Sequence, residues 1–154
     1  MPSEKPPDAW DPESSASFWI NRASRSILRL QEGRLRPLGF GMSQMPVLHA
    51  LGNGGAMSQK ELARWARVEQ PTMAEMLARM ERDGVIQRQP NPRDARGSLI
   101  SLTRSSLLRV PKAKAELIQG EQEATAGFSP EEKAQLLSLL RRMVDNLEKG
   151  PPAD

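Results

Sequence analysis

The chain has 154 residues, 38% of them hydrophobic and 27% charged, which suits one domain or one compact domain with appended helices. Its net charge is +3 and its sequence pI about 9.7, with arginine well ahead of lysine; this permits a nucleic-acid partner without proving one, because a high-GC genome also favours arginine codons. There are no cysteines and one histidine, His49, which removes disulfides and thiol chemistry and makes a Cys/His zinc site very unfavourable.

Residues 1–13, "MPSEKPPDAWDPE", are polar and proline-rich, and they read as a disordered lead-in and not as a signal peptide. No apolar run approaches the ~20 residues a membrane span needs, so the expected location is the cytoplasm. The first helix is expected over 14–36. Ala16, Trp19, Ile20, Ala23, Ile27 and Leu30 share one face, Arg22, Arg25 and Arg29 the other, and Pro37 with Gly39 and Gly41 stops it. A second helix follows with Ser43 as its N-cap and Pro46 in its first turn, contributes Val47, Leu48 and Leu51 to a core, and ends at "GNGG" (52–55). That glycine cluster lacks the lysine and the spacing of a phosphate loop.

The third helix opens on a Ser58/Glu61 capping box and ends near Val68, with Leu62, Trp65 and Ala66 expected on its buried side. In the fourth, Pro71 fits the first turn, Met73, Met76, Leu77 and Met80 form an apolar stripe, and Thr72, Glu75, Arg79 and Arg82 face away; Gly84 ends it. "VIQRQ" (85–89) and "SLISL" (98–102) then read as a two-stranded hairpin around the tip "PNPRDARG". Thr103 begins a further helical tract to about Gly127, with Pro111 expected to bend or interrupt it. The last helix opens on Ser129, Pro130 and Glu132 and carries Leu136, Leu139, Leu140, Met143 and Leu147 on one side. The tail "KGPPAD" reads as loose.

A short helix, a tight turn, an amphipathic helix and a hairpin describe a winged helix-turn-helix, so the predicted fold class is mainly α with a small β element. A helix fits the major groove and presents side chains to base edges there. The polar face of 69–83 is the candidate reading face, closest at Gln70, Pro71 and Thr72. Arg93 and Arg96 on the wing are candidates for phosphates or the minor groove, with Asp94 bracing a neighbouring arginine. A solvated helix side and a surface ion pair are the plainer alternatives. No convergent acid, base and nucleophile appears, so no enzyme and no cofactor are expected.

The stretches "SQKELARWARVEQPTMAEMLARMERDGVI" and "NPRDARGSLISLT" resemble the multiple-antibiotic-resistance regulator (MarR) family of bacterial transcription factors. Gln70-Pro71-Thr72, Glu81 to Ile86, Asp94-Ala95-Arg96 and Leu102-Thr103 match the family pattern, and the element order matches over about residues 14–148. The resemblance implies a sequence-specific, homodimeric DNA-binding regulator of a roughly palindromic operator, without a metal or cofactor. It aligns Arg96 with a wing arginine that enters the minor groove and Asp94 with that arginine's structural partner. The expected DNA contacts are Ser58, Gln59, Gln70, Pro71, Thr72, Glu75, Arg79, Arg88, Arg93, Asp94 and Arg96. Two departures stand out: Glu75, where relatives often carry a basic or neutral residue, and "TRSSLL" after the wing, which obscures where the next helix starts.

The implied division is a dimerisation helix over 14–41, a DNA-binding lobe over 42–104 and dimerisation helices over 105–150. Many members of the family bind small aromatic or phenolic acids. The candidates here are Trp19, Arg22 and Ser26 on the first helix and Met45 and His49 on the second, an arginine pairing a carboxylate beside an aromatic and a Met wall. Packed or solvated roles for these residues stay open. The resulting expectation is a repressor released by such an acid; the alternative is a winged-helix module that binds protein and has no operator.

Overall fold

The computed structural model describes residues 10–149. Part of the expected disordered lead-in, 1–9, and the end of the tail, 150–154, lie outside the described residues. The rest of the lead-in is ordered: Pro12–Ser14 form a 3-10 turn whose first residues are capped by Asp11, which accepts from the Glu13 N–H at 3.2 Å. The chain divides into two compact units, one ending at Gly120 and the other starting at Glu121.

The first unit begins with α1 (Ala16–Leu35), followed by a 3-10 turn at Arg36–Leu38 that holds Pro37. Only Leu35 of α1 is buried; of the apolar face read from sequence, Ile20, Ile27 and Leu30 are half-buried and Ala16, Trp19 and Ala23 are exposed. A second 3-10 turn, Met42–Gln44, leads into α2 (Met45–Leu51). Ser43 lies inside that turn and is not the cap expected of it. The backbone donors are met elsewhere: Gln44 accepts from the Gly41 N–H at 3.1 Å, and Glu32 of α1 from the Met42 N–H at 2.7 Å. α2 itself begins without a side-chain cap.

After α2 come β1 (Ala56–Ser58), α3 (Gln59–Ala66), α4 (Gln70–Arg82), β2 (Ile86–Asn91), β3 (Asp94–Leu102) and α5 (Arg104–Ala124). The sequence reading missed β1, so the sheet has three antiparallel strands in the order β1-β3-β2 where a hairpin was expected. A three-residue strand beside "GNGG" carries no alternation to detect. The paired strands also run farther than expected, leaving only Pro92 and Arg93 between them. The core joins all layers: Leu35, Leu48, Leu62, Leu77, Ile100 and Val110 are buried together. Each such side chain contributes about 1.5–3 kcal/mol by leaving water.

α5 runs unbroken through Pro111. That residue is exposed, so water can serve the carbonyl one turn back that loses its helical donor. The unclear start of this helix is resolved by Thr103: its hydroxyl accepts from the Ser106 N–H at 3.3 Å and lies 2.9 Å from the Gly84 carbonyl. Trp65 departs from expectation, being 53% exposed, while Ala63 is buried. Leu62, Ala66 and Ala63 span the inward arc of α3, and Trp65 falls past its edge.

In the second unit α6 (Pro130–Glu148) has the expected box, with Ser129 accepting from the Glu132 N–H at 3.1 Å and Glu132 from the Ser129 N–H at 2.8 Å. No residue of α6 is buried. Leu136, Leu139, Met143 and Leu147 are exposed. Among the described residues, no helix is long and apolar enough to cross a membrane.

Candidate nucleic-acid interface

The interface is built from the α3–α4 pair and the wing. α3 starts where the sequence said it would: the Ser58 N–H reaches Glu61 at 2.8 Å, and the Glu61 N–H reaches the Ser58 hydroxyl at 3.2 Å. Ser58→Ala is expected to cost about 1 kcal/mol, read as a lower denaturation midpoint, because one of the open N–H groups loses its acceptor. The Ser58 backbone N–H foremost, and then the Ser58 hydroxyl, hold the Glu61 carboxyl below its ordinary value, with Arg64 and Arg93 adding to them. The group is fully solvated, so its contribution is small. It is present above the unfolded-state value and fades as pH falls through the folded one.

The turn between the helices rests on Arg67, which is left-handed at φ 54°. The Val68 N–H returns to Ala63 at 3.1 Å and the Arg67 N–H to Arg64 at 3.3 Å, a Schellman ending with arginine where glycine is usual. α4 then opens at Gln70 with Pro71 in its first turn and no side-chain cap. Its first N–H groups therefore stay open, beside the exposed side chains of Gln70, Pro71 and Thr72. Glu75 and Arg79 lie exposed farther along. Arg79 also lines a cleft with Glu32, Ser43, Gln44 and Asp83. Behind this face Met73, Leu77 and Met80 are fully buried. Gly84, at φ 73°, ends the helix as expected; the Val85 N–H returns to Met80 at 2.8 Å and the Gly84 N–H to Glu81 at 3.0 Å.

The wing shows how Arg96 is aimed. Pro90 pairs with Ser98, but the next residue, Asn91, pairs with Asp94. Ala95, Arg96 and Gly97 are thrown out of the ladder as a bulge, a device that redirects side chains. Asp94 accepts from the Arg96 backbone N–H at 3.0 Å, and Asn91 from the Arg93 backbone N–H at 3.0 Å. Asp94 thus braces the arginine through its backbone, not through the charged head as expected, and the Arg96 guanidinium has no hydrogen bond or ion pair among the described residues. Arg88 differs: its Nε lies 3.0 Å from Glu81.

Two polar grooves run between α3 and the wing. One is lined by Ser58, Gln59, Arg88, Asp94 and Arg96. The other gathers Lys60, Arg64 and Arg93 around Glu61. Lys60 and Arg64 were not singled out from sequence; their i, i+4 spacing on the outward side of α3 was the available signal.

The five candidate effector residues are not brought together in this chain. Met45 and His49 line an apolar cavity of about 400 Å³ with Leu48, Val110, Lys114 and Leu117. Trp19, Arg22 and Ser26 do not line it. Trp19 instead donates to the Glu13 carbonyl at 2.8 Å, and Arg22 lies over its ring at 5.8 Å. The cation beside the cavity is Lys114, which the sequence reading did not select. His49 also stacks on Trp65, with ring centroids 5.9 Å apart and planes 25° from parallel. Among the described residues no cluster of His, Asp and Glu is placed to hold a metal ion.

A family model described as the MarR family matches residues 40–98. The chain is 32% identical over 125 residues to YwoH of Bacillus subtilis, described as an uncharacterized HTH-type transcriptional regulator; the match covers 81% of this chain and 90% of YwoH. A mutant MarR from E. coli, solved in complex with operator DNA, has the same fold at a TM-score of 0.74, with 26% identity over 82% of this chain and 91% of that one. A probable transcriptional regulator from Pseudomonas aeruginosa gives a TM-score of 0.76 and 25% identity, covering 86% of this chain and 99% of that one. The winged helix-turn-helix read from the element order is the fold these proteins share.

Proposed function

The chain belongs to the MarR family of DNA-binding transcriptional regulators and is not an enzyme, and from that premise we propose that it is a homodimeric repressor of a palindromic or near-palindromic operator, released by a small aromatic or phenolic acid. Two observations carry the reading: the bulge at Arg96, whose guanidinium has no hydrogen bond or ion pair among the described residues, and the uncapped N-terminus of the recognition helix. The first delivers a positive charge to a minor groove or phosphate; the second offers N–H groups and the Gln70 and Thr72 side chains to the major groove. In this reading 42–104 is the DNA-binding lobe, while 14–41 and 105–150 are dimerisation helices. The exposed apolar side chains of α1 and α6 support that division, since large apolar surfaces mark association.

The cavity between α2 and α5 is the effector site in this reading. Its volume falls within the ~300–1,000 Å³ usual for small ligands, Met45, Leu48 and Val110 supply a wall for a ring, and Lys114 supplies the charge partner for a carboxylate. A ligand there reaches the DNA-binding helices through His49, which lines the cavity and stacks on Trp65 of α3. A coupling of ~1–3 kcal/mol is enough to release DNA.

The test is binding to the intergenic DNA beside the protein's own gene, across a salt series, with whole and half palindromes and a panel of aromatic carboxylic acids. Expected are salt-dependent binding that needs both half-sites, and release by a panel member that acts far less on Lys114→Met. Specific binding that no acid alters retires the cavity as an aromatic-acid site. Absence of specific binding at low salt sinks the operator and moves the weight to a protein-binding module.

A further inference from the structure

Within the DNA-binding reading just given, we propose that Arg88 is a positioning residue that sets the wing against the recognition helix, and is not itself a DNA contact. Arg88 pairs with Ile100 across the sheet and shares a face with Ile86, so it continues the buried rows of the wing by one polar step. From there its Nε forms an ion pair with Glu81 on the last turn of α4 at 3.0 Å, and its Nη1 donates to the Ser98 hydroxyl on β3 at 3.5 Å. Its side chain is 30% exposed.

The placement of these partners gives the link its purpose. Ser98 is the last paired residue of β3 before the bulge that projects Arg96. Arg88 therefore ties the end of the recognition helix to the root of the bulge. An exposed ion pair adds little to global stability, but this one joins the two parts that must meet the duplex together. A planar guanidinium with several donors suits such a three-way junction where a lysine does not. Arg96, by contrast, has its charge free.

A salt bridge of this kind makes Glu81 diagnostic. If Arg88 only orients the wing, removing Glu81 releases the wing and weakens DNA binding. If Arg88 is a phosphate contact, removing Glu81 frees its charge and strengthens binding. The experiment is operator affinity of full-length Glu81→Gln, Arg88→Gln and the double variant across a salt series, together with amide hydrogen exchange of Gln89 and Leu99 without DNA. Expected are similar losses of about five-fold for the two single variants, a double variant no worse than either, an unchanged salt slope and faster wing exchange in both. Tighter binding by Glu81→Gln, or a slope reduced by about one in Arg88→Gln, overturns the proposal. If the unaltered protein binds no operator, the functional reading fails by itself and the exchange arm decides: wing exchange equal to that of the unaltered protein overturns the positioning role.

Discussion

Arg96→Ala is expected to weaken operator binding about ten-fold or more and to lower the salt slope by about one. The fold delivers this side chain deliberately. Its backbone N–H is fixed by Asp94 at 3.0 Å, its neighbours are outside the ladder, and its guanidinium has no competing partner among the described residues. The backbone is already ordered, so binding has only the rotamers of the side chain to fix, at a cost of about 0.5–1.5 kcal/mol. The variant should fold normally, since an exposed bulge residue contributes almost nothing to the core. Titration of a fluorescent operator at several salt concentrations reads both quantities. Unchanged affinity with an unchanged slope would mean that the wing does not touch the duplex.

Leu77→Ala should have the opposite profile. Leu77 is fully buried on the inner face of α4 between Met73 and Met80. Truncation removes transfer free energy and leaves a cavity, costing about 2–5 kcal/mol. Against a typical stability of about 5–15 kcal/mol, that is enough to lower the denaturant midpoint sharply and raise the unfolded fraction at growth temperature. The molecules that remain folded should keep their affinity for the operator, because the side chain points away from the reading face. A stable Leu77→Ala protein with poor DNA binding would contradict the inward placement of this stripe.

The legible parts of the chain were those governed by local rules. The boxes at Ser58/Glu61 and Ser129/Glu132, Pro71 in a first turn and Gly84 at a helix end each depend on residues within a turn of one another, and each stands as read. What escaped depended on distant partners. Glu32 of α1 meets the Met42 N–H at the start of a 3-10 turn that takes in Ser43, so α2 begins one residue too late for Ser43 to be its cap. β1 exists because β3 is there to pair with it. The turn at Arg67 carries no glycine to announce it. In the site, helical spacing grouped Thr72, Glu75 and Arg79 on one exposed face, yet it could not separate Arg88, paired with Glu81, from Arg96, whose guanidinium has no partner among the described residues. Both are wing arginines to a reader of sequence, and only the register of the sheet divides them. Trp65 was misplaced because a tryptophan near a core stripe is usually part of it, and here a histidine on α2 offered an outer surface instead.

The third strand has a consequence for how the wing can vary. β1 pairs with β3 only at Leu99, Ile100 and Ser101, through Ser58, Met57 and Ala56. Beyond Leu99 the ribbon is two-stranded. Ser58 is at once the end of β1 and the cap of α3, so the root of the ribbon is spliced into the helical motif, while its outer half has no third strand. Length is therefore a separable variable. Residues inserted or removed between Asn91 and Asp94 alter the reach of the ribbon without passing through the splice, whereas a one-residue shift at Ala56–Ser58 turns every side chain of β1 over and unseats the start of α3. Relatives with longer or shorter wings can be built from this plan by editing only the outer half, and chimeras should be cut there.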